Sequence, residues 1–215
     1  GDWYVNKNKF KNGLASFVNK VKAHGIKFGI WVEPEMVNPD SDLYRAHPDW
    51  AIKVEGLTPC TGRDQLVLDL TRKEVRDYIV ESVSKILREH PIDYVKWDMN
   101  RIFSDYYSQT LPAQRQKEVA HRYMMGLYKM LESLNQSFPN ILFEGCASGG
   151  NRFDLGMLCY FPQIWASDDS DAIYRVGGQT GYSYGYPMST VTAHVSDCPN
   201  HQTLRNTPLE TRFSL

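Results

Sequence analysis

The chain has no cysteine framework. Its four cysteines, at 60, 146, 159 and 198, show neither CxxC spacing nor the density of a disulfide scaffold. Disulfide staples are thereby excluded as the expected source of stability, and Cys159 and Cys198 read as buried thiols. A reducing, cytoplasmic setting is expected, any leader outside this stretch aside. No run of about eighteen apolar residues and no signal-peptide pattern occurs, so no membrane partner is expected. The six histidines lack HxxxH or HxH spacing, and no metal site is expected from them. No GxGxxG or P-loop follows an apolar run, so no nucleotide cofactor, or any other cofactor, is expected. A formal net charge of -1 gives no electrostatic case for nucleic acid. What is left is a small neutral partner.

What is present is enough chain, at 215 residues and 42% hydrophobic, for one globular core. Five Trp and thirteen Tyr supply either core or platforms on which sugars stack. Leu14, Phe17, Val18 and Val21 recur at helical spacing and Gly25 ends that helix. Residues 27–32 follow as a buried strand. Leu66-Val67-Leu68-Asp69 reads as the next strand, and Thr71 with Glu74 forms a capping box for a helix reaching about His90, where Pro91 stops it. Further strands are expected at 93–97, 141–143, 163–166 and within 187–195, with a long helix between about Pro112 and Leu134. Asn135-Gln136-Ser137, a glycosylation pattern inside that helical region, is taken as chance.

Strands alternating with helices imply right-handed parallel crossovers, hence a closed barrel or an open doubly wound sheet. Trp31 with Glu33 and Glu35, then Asp69, Asp98, the stretch 144–146 and the stretch 167–169 all fall at or just after strand carboxyl ends. A closed barrel brings such ends to one mouth, which favours a (β/α)8 barrel. About six or seven strands are legible where such a barrel has eight and about 250 residues. The expectation is therefore a partial catalytic domain over 1–215, lacking at least the first strand.

Tyr94-Val95-Lys96-Trp97-Asp98-Met99-Asn100-Arg101 is the most informative stretch. A carboxylate two residues after a lysine is favoured in its charged form, as a nucleophile requires. In the stretch 165–171, mutual repulsion among Asp168, Asp169 and Asp171 favours the protonated form of at least one member, as a proton donor requires. Ser170 or Asp171 also suits a helix N-cap. Two carboxyl groups in unlike environments, without a cofactor loop, are the requirement of glycoside hydrolysis.

Five strings, WVEPEMVNPDSDLYRAHPDW (31–50), LVLDLT (66–71), YVKWDMNR (94–101), FEGCASGGNRFD (143–154) and WASDDSDA (165–172), closely resemble microbial α-galactosidases of glycoside hydrolase family 36. The resemblance implies a retaining mechanism on a (β/α)8 catalytic domain between two β-domains. It implies that Asp98, in the KWD motif, is the nucleophile and that Asp168, the first aspartate of SDD, is the general acid/base. It further implies that Lys96 and Asn100 bind galactose hydroxyls, that Arg63 is a sugar-binding arginine, that Trp31 walls the pocket, and that Cys146 and Gly149 form the CxSGG turn along the sugar. A galactoside such as melibiose or raffinose is the implied substrate, and the parent enzyme is expected to be a homo-oligomer, up to a tetramer.

Two departures stand out. Asn151 occupies a place where the family commonly has a third glycine, and the Asp-Asp pair that the family carries on its first barrel strand does not fall within this sequence. The stretch by itself is therefore expected to hydrolyse galactosides poorly. Glu33 and Glu35 are open to two readings, as acids orienting Trp31 and Lys96 or as structural salt bridges, and Asp69 reads as architectural. Rival functions are an α-N-acetylgalactosaminidase or transgalactosylase of the same family, a metal-dependent barrel isomerase or lyase using Glu33, Asp69, Asp98 and Glu144 with Lys96 as base, and a non-catalytic carbohydrate-binding module.

Overall fold

The periodicities resolve into strands and helices in a computed structural model describing residues 2–101 and 103–213. The chain divides into two compact units, 1–142 and 143–215.

In the first unit, helix α1 (Leu14–Lys22) buries Val18 and leaves Phe17 edge-on between Phe10 and Phe28. Gly25, in the left-handed region at φ 74°, returns its N–H to the Lys22 carbonyl just past the helix end. Strand β1 (Gly29–Val32) follows. It is not the buried strand its composition suggests, because Gly29 and Trp31 are exposed and only Val32 is buried. β1 lies at the edge of its sheet and pairs with one neighbour among the described residues. Beyond β2 (Met36–Val37), helix α2 (Asp42–Ala46) starts at Ser41, whose hydroxyl accepts the Tyr44 N–H, and a 3-10 turn covers Pro48–Trp50.

Strand β3 (Leu66–Val67) corrects the expected topology, since it pairs antiparallel with β2 in a separate two-stranded sheet. The run Leu66 to Asp69 is clasped from both sides: Leu68 N–H reaches the Glu35 carbonyl, Ile52 N–H the Val67 carbonyl, and Asp69 N–H the Trp50 carbonyl. A short apolar run announces burial without announcing strand direction.

Helix α3 (Lys73–Glu89) starts at Arg72 with no side-chain cap, which overturns the expected capping box. Asp69 takes the Thr71 hydroxyl at 2.6 Å and Arg72 takes Glu74 at 2.7 Å, so neither member is left to cap. Val75, Ile79, Val83 and Leu87 recur every fourth residue and are buried. They face α4 (Val119–Ser137), which buries Tyr123, Leu127, Met130, Leu131 and Leu134. Each such apolar side chain contributes roughly 1.5–3 kcal/mol by leaving water. The first turns expected of α4 are instead a 3-10 segment, Ala113–Glu118. Strand β4 (Tyr94–Trp97) alternates half-buried with buried residues and runs parallel to β1, Trp31 opposite Lys96 and Val32 opposite Trp97.

Strand β5 (Leu142–Gly145) enters the second unit at Phe143, and there β5, β6 (Gln163–Trp165) and β7 (Val191–Thr192) pair in parallel, Gly145 with Ile164 and Trp165 with Thr192. Between them lie α5 (Leu155–Leu158), capped by Asp154, and α6 (Ala172–Ser183), capped by Asp171 through the N–H groups of Ile173 and Tyr174. The strand expected within 187–195 is thus two residues, preceded by a 3-10 turn, Met188–Thr190. Helix α7 (Leu209–Phe213) closes the described chain. Cys159 is exposed and Cys198 half-buried, against the expectation of two buried thiols. Cys159 follows the single turn of α5 on an outward face, its Sγ on the Leu155 carbonyl.

Candidate active site

Asp98 follows the last residue of β4, and its N–H extends the parallel ladder to the Val32 carbonyl at 2.9 Å. Side chains two apart on a strand share a face, so Lys96 and Asp98 point the same way, and the register sets Trp31 beside Lys96. Three N–H groups converge on the Asp98 carboxylate: Met99 N on Oδ1 at 2.8 Å, Asn100 Nδ2 on Oδ2 at 2.7 Å, and Trp31 Nε1 on Oδ2 at 3.0 Å. Asp98 is 6% exposed while Trp31 is 51% exposed, so the indole forms an outer wall and the carboxylate lies behind it. An acceptor-only carboxylate satisfies all three donors at once.

The two glutamates after β1 separate in role. Glu33 accepts the Asn100 N–H at 3.0 Å and faces Arg63 Nη1 at 3.7 Å. Arg63 is exposed, with φ 53° in the left-handed region. Glu35 is fully buried and accepts Trp97 Nε1 at 2.8 Å and the Tyr123 hydroxyl at 2.6 Å. Glu33 thus fixes the backbone after Asp98, and Glu35 ties β4 to α4. Asp69 accepts the Ser108 hydroxyl at 2.5 Å as well as that of Thr71, joining two loops as architecture.

In the second unit β5 runs into Cys146, which is buried, and then a tight turn with Ala147 N–H on the Gly149 carbonyl. Gly149 has φ 81°, and a Cβ there would lie 3.0 Å from Ser167 Cα and 3.1 Å from Asp168 N. The glycine therefore serves the close approach of the Asp168 loop. Asn151, where a third glycine was expected, donates from Nδ2 to the carbonyls of Ala147 at 2.8 Å and Ser148 at 3.2 Å, closing the turn that its presence put in question.

Asp168 lies three residues past β6 and is exposed. Its Oδ1 accepts Trp165 Nε1 at 3.0 Å, and its carbonyl accepts Gln202 Nε2 at 3.0 Å. Gln202 Oε1 also receives the Ser170 N–H at 2.8 Å, so this one side chain spans the loop. Trp165 and Gln202 were missed from sequence. The only trace was a tryptophan three residues before the aspartate, and Gln202 carries no local signal. Among the described residues no group of three or more His, Cys, Asp or Glu is placed to hold a metal ion.

Carboxylates just past the ends of parallel strands, each receiving an indole N–H, place the candidate chemistry at the strand ends of an α/β protein. The chain belongs to the melibiase family, whose pattern matches residues 1–215. It is 52% identical over 212 residues to the α-galactosidase AgaA of Geobacillus stearothermophilus, covering 99% of this chain and 29% of that protein. It is 54% identical to the α-galactosidase Mel36A of Lactobacillus acidophilus over a like share. A crystal structure of a GH36 AgaA variant in complex with raffinose superposes with a TM-score of 0.96 at 52% identity, covering 99% of this chain and 30% of that one. Another AgaA variant, in complex with stachyose, gives 0.95. The chain thus spans 29% of the length of these curated relatives.

Proposed function

We propose that this chain supplies both catalytic carboxylates of a retaining α-galactosidase. The observation that carries the reading is the setting of Asp98, a buried carboxylate at a strand's end aimed by three N–H donors. Attack on an anomeric carbon needs an oriented, desolvated oxygen of this kind. Asp98 bonds to C1 of galactose as the glycosidic C–O bond breaks, and Asp168 delivers its proton to the departing oxygen. Asp168 then takes a proton from water, the water oxygen bonds to C1, and the ester to Asp98 breaks. The exposure of Asp168 suits exchange of its proton with leaving group and water.

In this reading galactose contacts are assigned to Lys96, Asn100, Arg63 and Trp31 in the first unit and to Cys146 and Gly149 in the second, and the complexes of AgaA variants with raffinose and stachyose support substrates of that class. Residues 1–215 are read as part of a (β/α)8 barrel, supported by the alternation of strands and helices and by the parallel pairing of β1 with β4, of β5 with β6 and of β6 with β7. No described helix is long and apolar enough to cross a membrane. A cytoplasmic, homo-oligomeric parent belongs to the same reading, with light scattering as the check on assembly.

The test is an NMR time course of p-nitrophenyl α-galactoside with the full-length protein, reading the anomer first released, beside Asp98→Asn. Release of α-galactose that vanishes in the variant is expected. Release of β-galactose would replace retention by inversion, and turnover undiminished in Asp98→Asn would remove the nucleophile.

A further inference from the structure

We infer that Trp165 is a positioning residue for Asp168 and that His194 holds it in place, an inference resting on the acid/base role just proposed. Trp165 is the last residue of β6 and is buried, and its Nε1 donates to Asp168 Oδ1 at 3.0 Å. A carboxylic acid whose one oxygen is committed as acceptor carries its proton on the other. Here that is Oδ2, which has no protein partner among the described residues. The indole therefore selects which oxygen delivers the proton and which way it faces.

Glu144 backs His194, which packs with Arg175 on that indole. The His194 imidazole stacks on it with centroids 4.2 Å apart and planes 20° from parallel. His194 follows β7, whose Thr192 pairs with Trp165 in register. Its Nε2 lies 3.7 Å from Oε2 of Glu144, a fully buried residue of β5. Arg175, from α6, sets its guanidinium 5.7 Å from the Trp165 ring and donates to the His194 carbonyl. A buried tryptophan seeks any acceptor for its N–H. What marks this one is that the acceptor is the proposed proton donor.

General acid help matters only when the leaving group is a poor one, and that separates positioning from a structural part. The full-length protein is compared on raffinose, whose alkoxide must be protonated, and on p-nitrophenyl α-galactoside, whose phenolate leaves unaided. Trp165→Phe keeps the ring and removes the donor. It is expected to lower kcat/KM on raffinose by about 10- to 100-fold, short of the 10²–10⁴-fold worth of a general acid, and by under about 3-fold on the aryl galactoside. His194→Ala is expected to give the same pattern at about 3- to 10-fold, with His194→Phe, which restores a stacking ring, recovering most of it. His194 has a 45% exposed side chain, so this pair carries the test if the tryptophan variant does not fold. Equal losses on both substrates would make Trp165 structural and overturn the inference. Asp168→Ala runs alongside: if it too fails to discriminate the leaving groups, the acid/base assignment itself has fallen.

Discussion

Trp31 and Asp98 meet across β1 and β4, the indole Nε1 donating to Asp98 Oδ2 at 3.0 Å over a separation of 67 residues. Asn100 Nδ2 shares that oxygen and Met99 N–H holds the other, so the aim of the carboxylate depends on a side chain from the neighbouring strand. Trp31→Phe keeps the wall and removes one donor. Loss of one hydrogen bond to a carboxylate, about 1.5 kcal/mol, is expected to lower kcat on p-nitrophenyl α-galactoside about tenfold. Because half of Trp31 is in solvent, the thermal midpoint should stay nearly in place. An unchanged kcat would show that Asn100 and Met99 suffice.

Gly149 sets the CxSGG turn against the loop that bears Asp168. A Cβ there meets Ser167 Cα at 3.0 Å, and φ 81° disfavours any L side chain. Gly149→Ala is expected to cost about 1–3 kcal/mol of stability, read by urea melts. Since the nearest atoms are Ser167 and Asp168 backbone, the loop bearing the acid/base must give by a few tenths of an ångström, and the rate is expected to fall by less than the roughly 10²-fold of a 1 Å misplacement. Activity falling only in step with the folded fraction would show that the loop absorbs the methyl group.

Much of this was legible in the sequence, and what was not has a physical pattern. Helix α4 followed from apolar positions at helical spacing, α3 was placed by the Pro91 stop and by a capping box that does not form, and β4 with Asp98 at its end followed from an apolar run emerging into Lys96, Trp97 and Asp98. Asp171 was legible as a cap because capping is local. β3 was misread because an apolar run is the same in a parallel and an antiparallel setting, and its partner is set by the path of residues 33–52. The indoles on Asp98 and Asp168 were not legible as partners. Trp31 reaches Asp98 only through strand register, and Trp165 reaches Asp168 only because the loop after β6 doubles back. Cys159 was misplaced because residue type predicts burial on average, while the one-turn α5 decides which way a given thiol faces.

Glu35 joins β4 to α4 through two hydrogen bonds. Its carboxylate is fully buried and receives Trp97 Nε1 and the Tyr123 hydroxyl. Tyr123→Phe removes one donor and leaves packing intact, with an expected cost of about 1–3 kcal/mol by chemical denaturation. Glu35→Ala removes the acceptor of both bonds and should cost more. The double variant is expected to cost less than the sum, since the two changes break one shared contact. Strict additivity would mean that the residues contribute independently.

Acid stability follows from Asp171, the cap of α6. The Thr203 hydroxyl above all, then the Tyr174 N–H, the nearby Arg205 and the Ile173 N–H, hold its carboxyl below the ordinary value of 3.8 against the opposing effect of burial. A group whose folded pKa is depressed binds fewer protons folded than unfolded. Its stabilisation is present above the unfolded value and is lost as pH falls through the folded one. The second unit should therefore loosen below about pH 3.8, first around the loop 168–171 that Gln202 and Thr203 fasten. Asp171→Asn keeps a good capping side chain and removes the titrating charge. It is expected to be less stable than the parent at pH 7, with the gap closing as pH drops below 4, measured by urea midpoints across that range. A gap that stayed constant down to pH 2 would show that the charge contributes nothing and that capping alone holds the helix.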